Sequence, residues 1–377
     1  MPMDLILAGG SVYDPASGRA GAYDIGFKGG RIAAVEPRMN RDLAEHVIDV
    51  SGKTLVPGLI DMHSHVYHGG TSLGVHADSL AVDAGVTTFV DAGSAGAGNF
   101  AGFHAHVITP SRARILAFLN ISHAGIYGFE VGVGECLDLK LLDPAHTLAR
   151  ARDYVDEIIG IKVRVGKSTS GDNDVNPILL AKQASDALQK PLMTHIDKPP
   201  PTLVDVLQCL GRGDILTHCF RPFPNSPVTE TGAVLNEVHA ARGRGVVFDV
   251  GHGRGSFGFQ SASKMLAQGF EPDVISSDIH SLSLQGPAHS LLHVMSKFMA
   301  LGMDFETVIK KVTVAPAKAI DKTDIGHLGI GALGDVTILE VEKGDFEFFD
   351  VVGECIRADQ HLRCCGLVID GIYWPPV

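Results

Sequence analysis

The chain has 377 residues, of which 45% are hydrophobic and 20% are charged, a composition that allows a large buried core and excludes disordered, collagen-like and coiled-coil proteins. The 43 acidic residues outnumber the 31 basic ones and give a formal charge of -12, which argues against a protein whose main partner is nucleic acid. The six cysteines contain no C-x-x-C pair, and no basic leader or long apolar run is present, so we expect a cytoplasmic protein that is neither exported nor bound to a membrane.

The order of apolar runs predicts an α/β protein. Residues 4–50 alternate apolar and polar positions between turn signals, which is typical of short antiparallel strands. From residue 54 onward, short runs rich in Val and Ile are separated by longer segments with helical spacing. The eight runs are 54–65, 86–93, 114–122, 158–165, 191–196, 214–219, 246–251 and 274–279. Eight parallel strands joined by helices close into a (β/α)8 TIM-type barrel.

The C-terminal region resembles the N-terminal one, because both contain short strand-like segments. Residues 334–339, 346–352 and 366–373 are predicted strands that do not alternate with helices. We therefore expect two domains. Residues 54–328 form the barrel, and residues 1–53 together with 329–377 form a small flanking β-sandwich domain built from both termini.

Side chains that can bind metal ions occur at the carboxyl ends of several predicted barrel strands, where barrel enzymes have their active sites. His63 and His65 are two residues apart, so both can point to the same side of a strand and share one ion. His195, His218 and Asp278 end three further strands. Each of these residues alone could be a hydrogen-bonded polar residue near the core. Four strand ends that carry potential ligands are not expected by chance.

Lys162 is an anomaly within its predicted strand, because it places an ammonium group among residues that should be buried. Burying an unpaired charge is costly, so this charge must be compensated. One interpretation is a buried ion pair with Asp61 or Asp91. The other is a carbamate formed from CO2, which would convert the lysine into an anionic oxygen ligand able to bridge two cations.

The pattern of candidate ligands resembles that of the amidohydrolase superfamily. The resemblance is carried by residues 56–65 (VPGLIDMHSH), by Lys162, His195, His218 and Asp278, and by the stretches 312–319 and 329–339. It implies a metal-dependent hydrolase with two divalent ions, for which zinc is the default because imidazole and carboxylate ligands are combined. It further implies that His63, His65 and Asp278 bind one ion and that His195 and His218 bind the other. Carbamylated Lys162 would bridge the two ions, and Asp278 would be the catalytic base.

Within this superfamily, residues 9–15 and the position of the lysine resemble dihydroorotase-like and deacetylase-type members. Residues 65–68 read HVYH and lack the Arg that dihydroorotases usually carry near the H-x-H motif. We therefore expect hydrolysis of an amide or ester in a small acylated carboxylic acid, such as an N-acyl amino acid or an O-acyl hydroxy acid. A cyclic amide hydrolase, a mononuclear deaminase and a non-catalytic scaffold are the alternatives.

Arginines in loops after the predicted strands are candidates to bind the substrate carboxylate. Arg254 is the first choice because glycines flank it, and Arg221 is the second; Arg164 is a further cation close to Lys162. For each, a structural salt bridge is an equally good interpretation. We expect a small molecule as the partner, and a homo-oligomer is left open.

Overall fold

The computed structural model describes residues 2–129 and 131–376, in which helices and strands alternate along much of the chain. The strands are β1 (Met3–Asp14), β2 (Arg19–Lys28), β3 (Arg31–Glu36), β4 (Ala44–Asp49), β5 (Thr54–Pro57), β6 (Leu59–Ser64), β7 (Val86–Gly96), β8 (Arg114–Asn120), β9 (Ile158–Val165), β10 (Leu192–Ile196), β11 (Ile215–Leu216), β12 (Val247–Phe248), β13 (Val336–Phe349), β14 (Cys355–Ile369) and β15 (Ile372–Trp374). The α-helices are α1 (Ala77–Ala84), α2 (Phe100–Phe103), α3 (Pro144–Asp153), α4 (Asn176–Leu188), α5 (Leu203–Cys209), α6 (Asn236–Arg244), α7 (Phe259–Ala267), α8 (Leu291–Ala300), α9 (Phe305–Val312) and α10 (Val314–Ala319). From β6 to α7, each strand is followed by one α-helix, which is the order of βα units.

The strands β6 to β12 form one parallel sheet of seven strands in sequence order. The predicted eighth strand, 274–279, is not a continuous strand. Its two ends form isolated parallel bridges, Val274 with Asp249 beyond β12 and Ile279 with Ser64 in β6. Asp278 has a φ of 49°, which interrupts the extended backbone and limits the pairing. The segment nevertheless lies between the two edges of the sheet, so the α/β fold is TIM-barrel-like.

The first predicted barrel strand, 54–65, is divided in two by Gly58. Residues Thr54–Pro57 form β5, which pairs with β1 and β13, whereas β6 pairs with β7. At Gly58 a Cβ atom would overlap the hydroxyl of Thr87 and lie 2.7 Å from Cβ of Asp335. A residue without a side chain therefore lets the chain pass from one sheet to the other at this close contact.

Strands from both ends of the chain lie in a second sheet of eight strands. Its order is β15-β14-β13-β5-β1-β2-β3, and β4 pairs with β1 outside this path. The register of β5 with β13 pairs Leu55 with Ile338 and so joins the N-terminal strands to the C-terminal ones. The predicted β-sandwich is therefore not confirmed, because hydrogen bonding places these strands in a single sheet.

The helix starts follow recognisable capping patterns. Asp143 accepts hydrogen bonds from the backbone of Ala145 and His146 and precedes Pro144, the first residue of α3. Thr202 and Asp205 form a reciprocal capping box at the start of α5. None of the helices in the described residues is long and apolar enough to cross a lipid bilayer.

Candidate active site

A cavity of about 190 Å³ collects most of the predicted ligands at the carboxyl end of the parallel sheet. His63 lies near the end of β6, Lys162 lies in β9 and His195 lies in β10. The cavity is lined by His63, His65, Leu73, Phe129, Lys162, Arg164, Ser168, His195, Asp197, Gly255, Ser256 and Asp278. His218 follows β11 and reaches the same site through a contact with His195. The structure thus brings all six predicted metal ligands together.

Two imidazoles converge on the carboxylate of Asp278. His63 Nε2 lies 3.3 Å and His65 Nε2 lies 3.2 Å from the same oxygen, Oδ1. The backbone N–H of Asp278 donates to the carbonyl of His63 at 2.7 Å, which fixes this carboxylate at the end of β6. Burial raises the pKa of Asp278 to about 6. The three side chains therefore present ligand atoms to one small volume.

The Nδ1 atom of each imidazole, which points away from Asp278, contacts a hydroxyl group. Thr217 Oγ1 donates to Asp249 Oδ2 at 2.7 Å and accepts from His63 Nδ1 at 2.8 Å, while His65 Nδ1 contacts Ser94 Oγ at 2.9 Å. Because Nδ1 of His63 carries the proton, its Nε2 is an acceptor that faces another acceptor, Asp278 Oδ1. A cation between these atoms would satisfy both of them, so the arrangement fits a metal ion.

His195 and His218 form the second pair of imidazoles. His195 Nδ1 lies 2.6 Å from His218 Nε2, and the two rings are nearly perpendicular. His218 Nδ1 donates to the carbonyl of Gly251 at 2.6 Å. Burial holds the pKa of both imidazoles well below the usual range, so both are neutral, which is the form that binds metal ions.

The buried amine of Lys162 lacks the ion pair that was one of its two interpretations. Within residues 2–129 and 131–376, its Nζ atom has no hydrogen-bond partner. Asp61 instead accepts from the backbone and hydroxyl of Ser277, and Asp91 accepts from the backbone of Val66. Burial lowers the pKa of Lys162 to about 7, so neutral amine is available at neutral pH. An unpartnered polar atom in this position needs a further group to satisfy it.

One close group of potential ligand atoms in the described residues combines side chains that the sequence assigned to different ions. His63, His218 and Asp278 each offer one atom, and these atoms lie within 4.8 Å of one another. The sequence grouped Asp278 with His63 and His65, and His218 with His195. The residues fit a metal centre, and the structure places the two predicted groups side by side.

The two arginines preferred from the sequence do not line the cavity. Arg221 is buried, and its guanidinium donates to the carbonyl of Ile196 and lies 3.4 Å from Asp197 Oδ1. Arg254 is exposed at the loop after β12, although its neighbours Gly255 and Ser256 reach the cavity. Both arginines lie near the cavity, but neither side chain lines it.

Arg164 is the arginine that lines the cavity. Its Nη1 donates to Glu135 Oε1 at 3.0 Å, and its guanidinium lies 5.4 Å from the ring centre of Phe129. Arg164 lies two residues after Lys162 in β9, so both side chains project from the same face of the strand. That spacing is the sequence signal that could have ranked Arg164 first.

The contacts behind the imidazoles were not predicted. Asp249 lies within the predicted seventh run, and Thr217 directly precedes His218, but nothing local links either residue to His63. Asp249 also accepts from Ser276 Oγ at 2.6 Å, and burial raises its pKa to about 6. The sequence signal for Asp249 was a charged residue inside an otherwise apolar run.

Comparisons with known proteins agree with this geometry. A family model described as the amidohydrolase family matches residues 54–356. A deacetylase of Agrobacterium fabrum is 36% identical over 328 residues, which are 87% of this chain and 80% of that protein. The crystal structure of an adenine deaminase has a TM-score of 0.93 and 31% identity over 99% of this chain and 100% of its own, and that of a dihydroorotase has 0.92 and 33% over 98% and 97%. The matched segment contains every predicted ligand from His63 to Asp278.

Proposed function

The chain belongs to the amidohydrolase family and is a hydrolase, and from this premise we propose that it is a deacetylase with two metal ions. It would cleave an amide or ester bond in a small substrate that carries a carboxylate, such as an N-acyl amino acid or an O-acyl hydroxy acid. The observation that carries the proposal is the convergence of His63 and His65 on Asp278 in the cavity that also holds Lys162, whose amine has no partner among the described residues.

The ions would be held by the histidines and Asp278, together with a carbamate on Lys162. Mixed imidazole and carboxylate ligands favour zinc. The carbamate forms when the neutral amine of Lys162 attacks CO2, so that an N–C bond is made and a proton is released. The buried amine supports this step, because its Nζ atom has no hydrogen-bond partner among the described residues that would hold it as an ammonium group. The carbamate would add two oxygen atoms that can bind the ions.

The chain's own groups then move the proton. Divalent ions supply an acidified water and polarise the carbonyl of the substrate when bound. Asp278 lies against both His63 and His65, where its carboxylate can accept a proton from water and return it to the leaving nitrogen or oxygen. Thr217 and Asp249 keep the ring of His63 in one orientation during this exchange.

The proposal predicts about two divalent ions per chain, because five side chains and a bridging carbamate exceed the needs of one tetrahedral zinc. Elemental analysis of fully active protein after extensive dialysis measures this number directly. A single tightly held ion in fully active protein would refute the binuclear site and would favour the mononuclear deaminase alternative.

Arg164 is proposed to bind the substrate carboxylate, because it is the arginine that lines the cavity. We expect Arg164→Met to lower kcat/KM by about 100-fold, equal to roughly 2.7 kcal/mol, for a carboxylate substrate, and to change little for its uncharged carboxamide analogue. Arg254→Met is the matched control, since this exposed arginine should have a small effect on both substrates.

Steady-state kinetics on the two substrates distinguish binding from packing. Arg164 also pairs with the buried Glu135, so a purely structural role would lower the rates for both substrates equally. Equal losses would remove Arg164 as the carboxylate anchor. A loss confined to the carboxylate substrate in Arg254→Met would restore the first choice made from the sequence.

A substrate screen tests the reaction itself. Metal-loaded protein is assayed with paired acetylated amino acids and acetylated hydroxy acids, and in parallel with dihydroorotate and adenine. The proposal expects acetate release from at least one acetylated carboxylic acid. Hydrolysis of the cyclic amide alone would favour the dihydroorotase-like alternative, and release of ammonia from adenine alone would favour a deaminase. No turnover of any substrate class would favour the non-catalytic scaffold.

A further inference from the structure

Lys297 is a second fully buried lysine, and it lies in α8, outside the cavity. Unlike Lys162, it has a complete set of partners. Its Nζ contacts His252 Nε2 at 2.8 Å and donates to the carbonyls of Pro287 and Phe349 at 2.7 Å each. The three acceptors match the three N–H donors of a protonated lysine. This lysine therefore joins three segments: the loop after β12, the segment before α8 and the end of β13.

The contacts of both ring nitrogens determine the tautomer of His252. The carbonyl of Gly253 can only accept, so the ring proton lies on Nδ1, which donates to it at 2.9 Å, and Nε2 of the neutral ring accepts from Lys297. The ring stacks on Phe257 with centres 4.6 Å apart and an interplanar angle of 20°. The fully buried imidazole is thus held at both nitrogens and on one face.

The backbone on either side of His252 touches two of the proposed ligands. The carbonyl of Gly251 accepts from His218 Nδ1 at 2.6 Å. Gly253 has a φ of 54°, and a Cβ at this position would overlap Oδ2 of Asp278. Displacement of His252 would therefore move both the acceptor that orients His218 and the surface against which Asp278 rests.

We propose that Lys297 is a positioning residue of the hydrolytic site and that it acts through His252 to hold the backbone of residues 251–253 against His218 and Asp278. This inference rests on the metal centre of the proposed function. The carbonyl of Phe349 is one of the three acceptors, so the end of β13 takes part in holding the site. Next to it, Asp350 Oδ2 accepts from the backbone of Phe259, which gives the same loop region a second attachment to the terminal sheet.

The test replaces Lys297 with Met, which keeps much of the length of the side chain and removes its donors. We expect kcat to fall about 10-fold at near-normal KM, and bound zinc to be lost to a chelator about 10-fold faster, as is typical when groups behind metal ligands are removed. Ser296→Ala is the matched control. Its hydroxyl accepts from the backbone of Leu362 in the terminal sheet at 2.9 Å and has no contact with His252 among the described residues.

A second variant keeps the test decisive if Lys297→Met does not fold. His252→Phe retains the stack on Phe257 and removes both ring nitrogens, so it should reproduce the loss of kcat and of zinc retention. In the double variant the two effects should not add, because both act through one contact.

Two results separate this inference from the proposed function. If wild-type protein holds zinc and is active while His252→Phe and Lys297→Met both match Ser296→Ala in kcat and in zinc release, the inference is overturned and the proposed function stands. If wild-type protein retains no divalent ion, the proposed function fails first and the inference fails with it.

Discussion

The Lys162→Ala variant should lose hydrolytic activity by more than about 1000-fold, because replacing groups behind metal ligands already costs 10- to 100-fold and this change removes a proposed ligand itself. The side chain is fully buried, and its amine has no partner in the described parts of the chain, so its removal breaks no existing ion pair. Activity and bound metal are measured together on purified protein. The metal content should fall along with the turnover.

Chemical rescue distinguishes a missing bridge from a disturbed core. Added formate or acetate can supply two carboxylate oxygens in the space left by the Lys162 side chain, so a part of the activity should return in Lys162→Ala. The same acids should not rescue Asp278→Asn. Wild-type metal affinity in Lys162→Ala would contradict the bridge, even if the activity were lost.

Asp278→Asn should retain the shape of the site and lose the proton acceptor, so turnover should fall by about 100- to 10,000-fold. Metal binding should weaken only in part, because the amide oxygen can still face His63 and His65. The measurement is kcat under saturating substrate, with the ion content of the same sample determined alongside.

Asp249→Asn is the matched comparison for this prediction. Asp249 is also buried and its pKa is also raised to about 6, but it contacts Thr217 and Ser276 rather than the cavity. Its loss should therefore cost less, about 10- to 100-fold. Near-normal turnover in Asp278→Asn would exclude this carboxylate from the proton transfer, and equal losses in the two variants would indicate orientation of the histidines as their shared role.

The parts of the site that sequence predicts well depend on local patterns. His63 and His65 share a face because they are two residues apart, and Lys162 is recognisable because a charge interrupts an apolar strand. The barrel order follows from the same recurring runs, and seven of the eight runs contain strands of the parallel sheet. The identification of the amidohydrolase superfamily is confirmed by the matched family model.

The features that sequence missed depend on distant contacts. The contact of His63 with Thr217 joins residues 154 positions apart, and no local spacing encodes it. The single terminal sheet depends on β5 pairing with β13, which follows it by almost 280 residues. The arginine that faces the cavity could not be chosen from sequence, because tertiary packing decides how the loops after the strands are oriented. In the structure Arg221 donates to the carbonyl of Ile196, and Arg254 is exposed.

The backbone at two of the proposed ligands has a consequence for protein engineering. His218 has a φ of 66° and Asp278 a φ of 49°, a left-handed region that costs most L-residues about 1–2 kcal/mol, that glycine occupies freely and that Asp, Asn and His adopt more often than other residues do. Glycine would remove the remaining backbone strain at either position, but it would also remove a proposed ligand. Selection for heat resistance alone would not preserve these two ligands, so the protein could lose its activity while it keeps its fold.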